Sequence, residues 1–378
     1  MKVDFFRHSI PSNINIKLKK IIKGDIITSG PECKLVEKEL SKYFNIKNVI
    51  LTSSWTSGAI ITLLSLNLKK NDEVIIPSMT FAATANVVEV LGAKPVIVDV
   101  DEKTFLLSFE EIKKKINKNT KVIFPVHLYG NMFDTKKLRS FIKKKKYKIH
   151  IIEDSAHAIE SSLDGFKSGR WSKAAIFSFY ATKNITCGEG GAVITNDNQL
   201  AEKIRRLKNF GLTQTALEKY KSKKYFEVDM KELGIKANLP DLLAFLILPQ
   251  LKKINQNLKL RKKIFDRYID LLKNKKIILP SITSKCNSSY HIFVVGVDYR
   301  KRDKIISYLK KKGIGCSVHY KPLHNMSYYK KKYRMKKNNF KISEYWGKSC
   351  ITLPFHLKLT LTQQIYVVRN LEAAIKKY

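Results

Sequence analysis

Lys183 stands in an unusual setting for a chain so rich in lysine. It follows Phe177-Ser178-Phe179-Tyr180-Ala181-Thr182 and precedes the glycine turn Cys187-Gly188-Glu189-Gly190-Gly191. A lone lysine among apolar and small residues is desolvated, which lowers its pKa and frees its amine to condense with a carbonyl. Local sequence alone favours a structural lysine. Upstream, Ile151-Ile152-Glu153-Asp154-Ser155-Ala156-His157 ends an apolar run in carboxylates. A buried carboxylate needs a positive partner, which can be Arg, Lys or a protonated pyridine nitrogen. Thr52-Ser53-Ser54-Trp55-Thr56-Ser57-Gly58 opens a helical pattern with hydroxyls, which suits a phosphate at a helix N-terminus and suits an ordinary N-cap as well. His127 and Tyr129, in Pro125-Val126-His127-Leu128-Tyr129-Gly130, form a further polar cluster, in which His127 taken alone reads as structural.

These groups have to be positioned by the elements around them. Short β-rich runs at 48–51, 73–76, 95–98, 121–126, 149–153, 174–179 and 192–195 alternate with helical patterns at 32–43, 57–68, 82–91, 109–116, 135–144 and 199–209. Such alternation predicts an α/β fold, a seven-stranded mainly parallel sheet with helices on both faces. Ligands in this class bind beyond the carboxyl ends of the strands, where each cluster above falls. Near Pro240 the pattern changes to an apolar helix at 241–248, then a basic amphipathic stretch at 256–272. Strand-like 291–297, helical 303–312, a short strand at 315–320 and a closing helix at 363–376 follow. The expected division is a large domain over 1–250, including the N-terminal segment, and a smaller α+β domain over 251–378. Lys330 to Phe340 reads as an exposed loop.

With 378 residues, 44% of them hydrophobic, the chain can bury a full core. No stretch approaches the roughly 18 apolar residues of a membrane span, and Asp4, Arg7 and His8 sit where a signal peptide would be apolar, so the reading is a soluble cytoplasmic protein. The five cysteines lack any CxxC pair, which suggests neither zinc nor a disulfide framework, and no metal is expected. A formal charge of +40 raises nucleic-acid binding, but 61 of the 72 basic residues are Lys and only 11 are the Arg that phosphate and base readout favour. The lysine runs fall late in helices or in turns, where cations suit solvated faces, so no nucleic acid is expected as a partner.

Taken in order, the hydroxyl-rich helix start, Phe81 after Pro77-Ser78-Met79-Thr80, Asp154, Ser178 and Lys183 make a joint pattern. It resembles the DegT/DnrJ/StrS-type aminotransferases, pyridoxal-phosphate (PLP) enzymes of fold type I that act on keto-sugars. The resemblance runs over nearly the whole chain, including Thr28-Ser29-Gly30-Pro31, Asn71-Asp72-Glu73-Val74 and His319-Tyr320-Lys321-Pro322-Leu323-His324. It implies that Lys183 binds PLP as a Schiff base and then shuttles the proton, while Asp154 pairs with the pyridine nitrogen. His157 would meet the cofactor's 3-hydroxyl, Phe81 would stack on its ring, and Ser178, Thr56 and the Trp55 backbone would hold its phosphate. Asn238 would reach the phosphate of a neighbouring subunit, so a homodimer with shared active sites is implied. Ser29, His127, Tyr129, His319 and Tyr320 are the implied substrate contacts.

The chain departs from many relatives at Gly234-Ile235-Lys236-Ala237-Asn238-Leu239, which lacks their Arg-Met, and at Trp55, which is bulkier than the usual small residue. The resemblance implies an amino acid donor, glutamate, and a nucleotide-linked keto-sugar acceptor in surface polysaccharide or glycan biosynthesis. Trp55 and the altered 238 region suggest a second acceptor, a small phosphorylated ketone such as a triose phosphate. Related dehydratases carry His where Lys183 stands. No GxGxxG follows the first strand, which argues against a nicotinamide enzyme, and Ile342 stands where a P-loop ending in Gly347-Lys348-Ser349 needs Gly.

Overall fold

The seven strands read from the sequence before residue 200 join into one sheet. A computed structural model of the chain describes residues 1–213, 227–273 and 275–378. Helices α1 (Asn15–Ile22) and α2 (Pro31–Phe44) lead into β1 (Asn48–Thr52), α3 (Trp55–Ser65), β2 (Glu73–Pro77), α4 (Ala83–Val90) and β3 (Lys94–Val98). Then come α5 (Phe109–Lys115), β4 (Thr120–Ile123), α6 (Thr135–Lys144), β5 (His150–Asp154), the short β6 (Ser162–Leu163), β7 (Ala174–Ser178), β8 (Gly191–Thr195) and α7 (Asn198–Leu207). The seven-stranded sheet has the order β1-β8-β7-β5-β4-β2-β3. All neighbours run parallel except β8, which is antiparallel to both β1 and β7.

Successive side chains on a strand face opposite sides, so near-continuous apolar strands fill two cores. Ile50 and Ile176 pack with α3, α4 and α7 on one face. Their neighbours Val49, Leu51, Ala175 and Phe177 pack with α2 on the other. Polar caps set the helix starts: the Asp134 side chain accepts from Lys137 N–H and that of Asp197 from Leu200 N–H.

Beyond the sheet lie α8 (Asp241–Ala244), α9 (Ile247–Lys252), α10 (Ile254–Leu272), β9 (Cys286–Asn287), β10 (Phe293–Gly296), α11 (Arg302–Lys311), α12 (Ser327–Lys332), α13 (Lys341–Ser349), β11 (Cys350–Leu353) and α14 (Leu361–Lys377). The apolar helix expected at 241–248 is broken after Ala244, because Pro249 cannot follow a helical carbonyl at Phe245. β10 and β11 pair antiparallel, and their core, with α10, α11 and α14, also takes in Val3. The first residues of the chain therefore pack on this later unit. Val3 N–H donates to Gly313 O and Gly315 N–H donates to Val3 O, both at 2.9 Å. Those bonds replace the strand expected at 315–320. Only Ser317 bridges to Thr352, after which the chain turns toward the sheet. The exposed loop expected at 330–340 is partly α12, and it hides two aromatic anchors, Tyr329 at 2% and Phe340 at 6% exposure.

Candidate active site

A cavity of about 490 Å³ opens at the carboxyl ends of β5 and β7. Its floor holds Asp154, His157 and Lys183. The start of α3 forms one side, and Phe5, Phe6, His319, Tyr320 and Phe355 close the other.

Lys183 lies in the turn after β7, with its backbone N–H on Tyr180 O at 2.9 Å. Among the described residues its amine has no hydrogen-bond or ion-pair partner. Burial lowers its pKa to about 8, against the opposing pull of the Asp154 charge. Asp154 closes β5 at 5% exposure, because the strand carries it from the core straight to the sheet edge. Its carboxylate accepts from Ala156 N–H at 3.1 Å and from Thr84 Oγ1 at 3.0 Å. Burial raises its pKa, and those two donors and Lys183 resist the rise. A cation placed against Asp154 would remove that penalty.

Four further groups complete the floor and walls. His157 accepts from Tyr129 N–H at Nδ1, 3.3 Å, and its Nε2 lies 3.3 Å from the Tyr320 hydroxyl. His291 lies against His157 with ring centroids 4.2 Å apart and planes tilted by 34°, and its Nδ1 meets Asn184 Oδ1 at 2.9 Å. Burial, and then the Lys183 charge, pushes both imidazoles well below the ordinary histidine range. His319, bonded through Nδ1 to Thr352 Oγ1 at 2.9 Å, is lowered to about 4 for the same two reasons. Phe81 is 61% exposed at the cavity and tilts toward Tyr320, with centroids 5.9 Å apart.

At the start of α3, Ser54 and Ser57 bond to each other's backbone in a capping box. These hydroxyls are consumed, while Thr56 is exposed and the first N–H groups of the helix have no intrahelical partner. Gly191 makes room for that approach: a Cβ there would lie 2.6 Å from Ser54 C and O and 2.7 Å from Trp55 N. Ser178 Oγ accepts from Tyr180 N–H at 3.3 Å beside it. The Trp55 indole stacks on Phe124 inside the core, with centroids 5.9 Å apart.

Lys183, Asp154, His157, Ser178, Thr56, Trp55, Phe81, His319 and Tyr320 are thus brought to one cavity. Four expected residues are placed elsewhere. His127 is fully buried, with Nε2 on Glu153 at 2.6 Å and Nδ1 accepting from Phe133 N–H at 3.1 Å, so neither nitrogen is left for a substrate. The Tyr129 hydroxyl, at 7% residue exposure, accepts from Trp346 Nε1 at 3.1 Å and donates to the His319 carbonyl. Tyr129 therefore braces the wall without lining the cavity. Ser29 and Asn238 bond to each other, Nδ2 to Oγ at 3.2 Å, outside the cavity, and among the described residues Asn238 Oδ1 has no partner. Sequence reasoning missed His291, Asn184, Phe5 and Phe6. Asn184, next to Lys183, was the available clue to the first pair, whereas nothing local marks the two phenylalanines.

Known proteins are similar to this chain over nearly its whole length. MJ1066 of Methanocaldococcus jannaschii, an uncharacterised protein, is 37% identical over 361 residues, covering 94% of this chain and 92% of that one. Spr1654 of Streptococcus pneumoniae in its PLP form superposes with a TM-score of 0.92 at 30% identity, covering 100% of this chain and 99% of that one. Helicobacter pylori PseC, an aminotransferase involved in the biosynthesis of pseudoaminic acid, gives 0.91 at 25% identity with both chains fully covered. Residues 8–372 match the profile of one family, and the chain belongs to it: the DegT/DnrJ/EryC1/StrS aminotransferase family.

Proposed function

We propose that this chain transfers an amino group from glutamate to a nucleotide-linked keto-sugar, using PLP held by Lys183, in the cytoplasmic synthesis of surface polysaccharides or glycans. The observation that carries the reading is a partnerless amine with a pKa near 8 facing a buried carboxylate in one cavity. PLP fits these groups. The orphan amine suits its aldehyde, Asp154 suits its ring nitrogen, and the free N–H groups of α3 with Thr56 and Ser178 suit its phosphate. When bound, PLP supplies an electron sink.

The chain's own residues do the rest. Asp154 keeps a proton on the ring nitrogen, because a buried carboxylate is stabilised only against a cation. Lys183 would hold the cofactor, and its amine, substantially uncharged near pH 8, would move a proton as a general base. His157, neutral and with Nδ1 engaged by Tyr129 N–H, directs an Nε2 proton into the cavity. Phe81 would cover the ring of bound PLP, and Phe5, Phe6 and Phe355 give the same cavity apolar walls.

A homodimer with shared sites is part of the proposal, since Asn238 and Ser29 lie outside the cavity of their own chain. The sugar acceptor is preferred over a triose phosphate because the Trp55 indole packs on Phe124 in the core and the cavity keeps a volume of about 490 Å³. Purified protein supplied with PLP and glutamate should form 2-oxoglutarate with a nucleotide-linked 4-keto or 3-keto sugar. Turnover with dihydroxyacetone phosphate alone would reverse the choice of acceptor, and no 2-oxoglutarate with any ketone would defeat glutamate transamination.

A further inference from the structure

A second set of wired side chains sits beside Lys183. Asn184 Nδ2 donates to Glu160 Oε2 at 2.9 Å and to the Ser289 carbonyl at 3.1 Å. Glu160 is ion-paired with buried Arg261 and is therefore a carboxylate. Both neighbours only accept, so the amide nitrogen has to face them and the amide oxygen has to face away. That oxygen meets His291 Nδ1 at 2.9 Å. It too only accepts, so His291 donates from Nδ1. Since burial and the Lys183 charge keep the ring neutral, Nε2 carries a lone pair and no proton.

His157 is wired the opposite way. Tyr129 N–H donates to its Nδ1, so its single proton is on Nε2. Two neighbouring neutral imidazoles thus present one donor and one acceptor within one cavity.

We propose that His291 Nε2 accepts a hydrogen bond from a hydroxyl on the carbon next to the carbonyl of the amino acceptor, and that Asn184 is the positioning residue that fixes its tautomer through Glu160. A ketone oxygen has no proton to give Nε2, whereas a hydroxyl has one. Phe5, Phe6, Leu353 and Phe355 line the same cavity, so an acceptor among them is left unanswered by an analogue lacking that hydroxyl. The selected class is the α-hydroxyketone, which deepens the keto-sugar reading above and rests on it.

Two readouts separate this proposal from that reading. The first is long-range proton–nitrogen correlation on the holoenzyme labelled with 15N-histidine, with His291→Leu used for assignment. It should show His291 protonated at Nδ1 and His157 at Nε2, and Asn184→Leu should move the His291 proton toward Nε2. A proton on Nε2 of His291 in the unaltered protein would overturn the wiring, whatever the substrate. The second is kcat/KM for the active ketone against its analogue without the neighbouring hydroxyl. The pairs are the nucleotide-linked 4-keto sugar with its 3-deoxy form, and dihydroxyacetone phosphate with acetonyl phosphate. The unaltered enzyme should prefer the hydroxylated ketone by roughly ten- to a hundredfold. His291→Leu should bring the ratio close to one, and His291→Gln, whose amide oxygen reaches the place of Nε2, should restore part of it. An unchanged ratio in His291→Leu would overturn the hydroxyl contact. Absence of turnover with every ketone would remove the acceptor class and the hydroxyl together, while the tautomer result would stand or fall separately.

Discussion

Asp154 and Lys183 define each other's charge, and the coupling has a sign that can be measured. The amine is unreactive while protonated, so PLP uptake by the cofactor-free protein should accelerate as pH rises through about 8, well below the 10.5 of an ordinary lysine. The Asp154 charge raises the Lys183 pKa, so Asp154→Asn should move that midpoint downward. An upward move in a stopped-flow pH series would contradict the pairing. The same variant should bind PLP yet lose turnover by roughly 10²–10⁴-fold, since a neutral amide cannot retain the ring proton. Near-normal turnover would remove Asp154 from that role. Both residues were legible in the sequence because their surroundings are local: an apolar strand ending in a carboxylate, and a lone lysine before a glycine turn. His291 was not legible, because its meaning depends on Asn184 and Glu160, which lie 107 and 131 positions away in the chain.

At the level of elements, the approach of β8 to the start of α3 sets the anion-binding end of the site. Gly191→Ala would place a methyl 2.6 Å from the Ser54 carbonyl group. Overpacking of this kind costs about 1–3 kcal/mol. It should also weaken PLP binding by tenfold or more in equilibrium dialysis, and unchanged affinity would show that α3 does not hold the phosphate. His127 makes the contrasting case. It ties β5 to the turn before α6 through Glu153, whose carboxylate also accepts from Thr135 Oγ1 and Gly169 N–H. His127→Phe removes a hydrogen-bond donor to a buried carboxylate and should cost about 1.5–3 kcal/mol in thermal or denaturant unfolding. Full stability with lost turnover would return His127 to the chemistry. The seven strands could be read from periodicity because each is a short, almost wholly buried run. The strand expected at 315–320 fails because the competing bonds come from Val3, some 310 residues earlier. Nor could periodicity say which side of the sheet edge His127 and Tyr129 would face.

For the whole molecule, the placement of Asn238 away from its own chain's cavity predicts complementation between subunits. Lys183→Ala and Asn238→Ala proteins, each inactive, should regain part of the activity when unfolded together and refolded, because a mixed dimer contains one site with neither change. No recovery, with dimers demonstrably formed, would make each site the property of one chain. The central claim meets its most direct test in a single labelling experiment. PLP-loaded protein is reduced with borohydride, digested and mapped by mass spectrometry. The account predicts one pyridoxyl group, on Lys183, and none on the cavity residues of Lys183→Ala. Attachment to any other of the 61 lysines, or a protein that takes up no PLP at all, would contradict it.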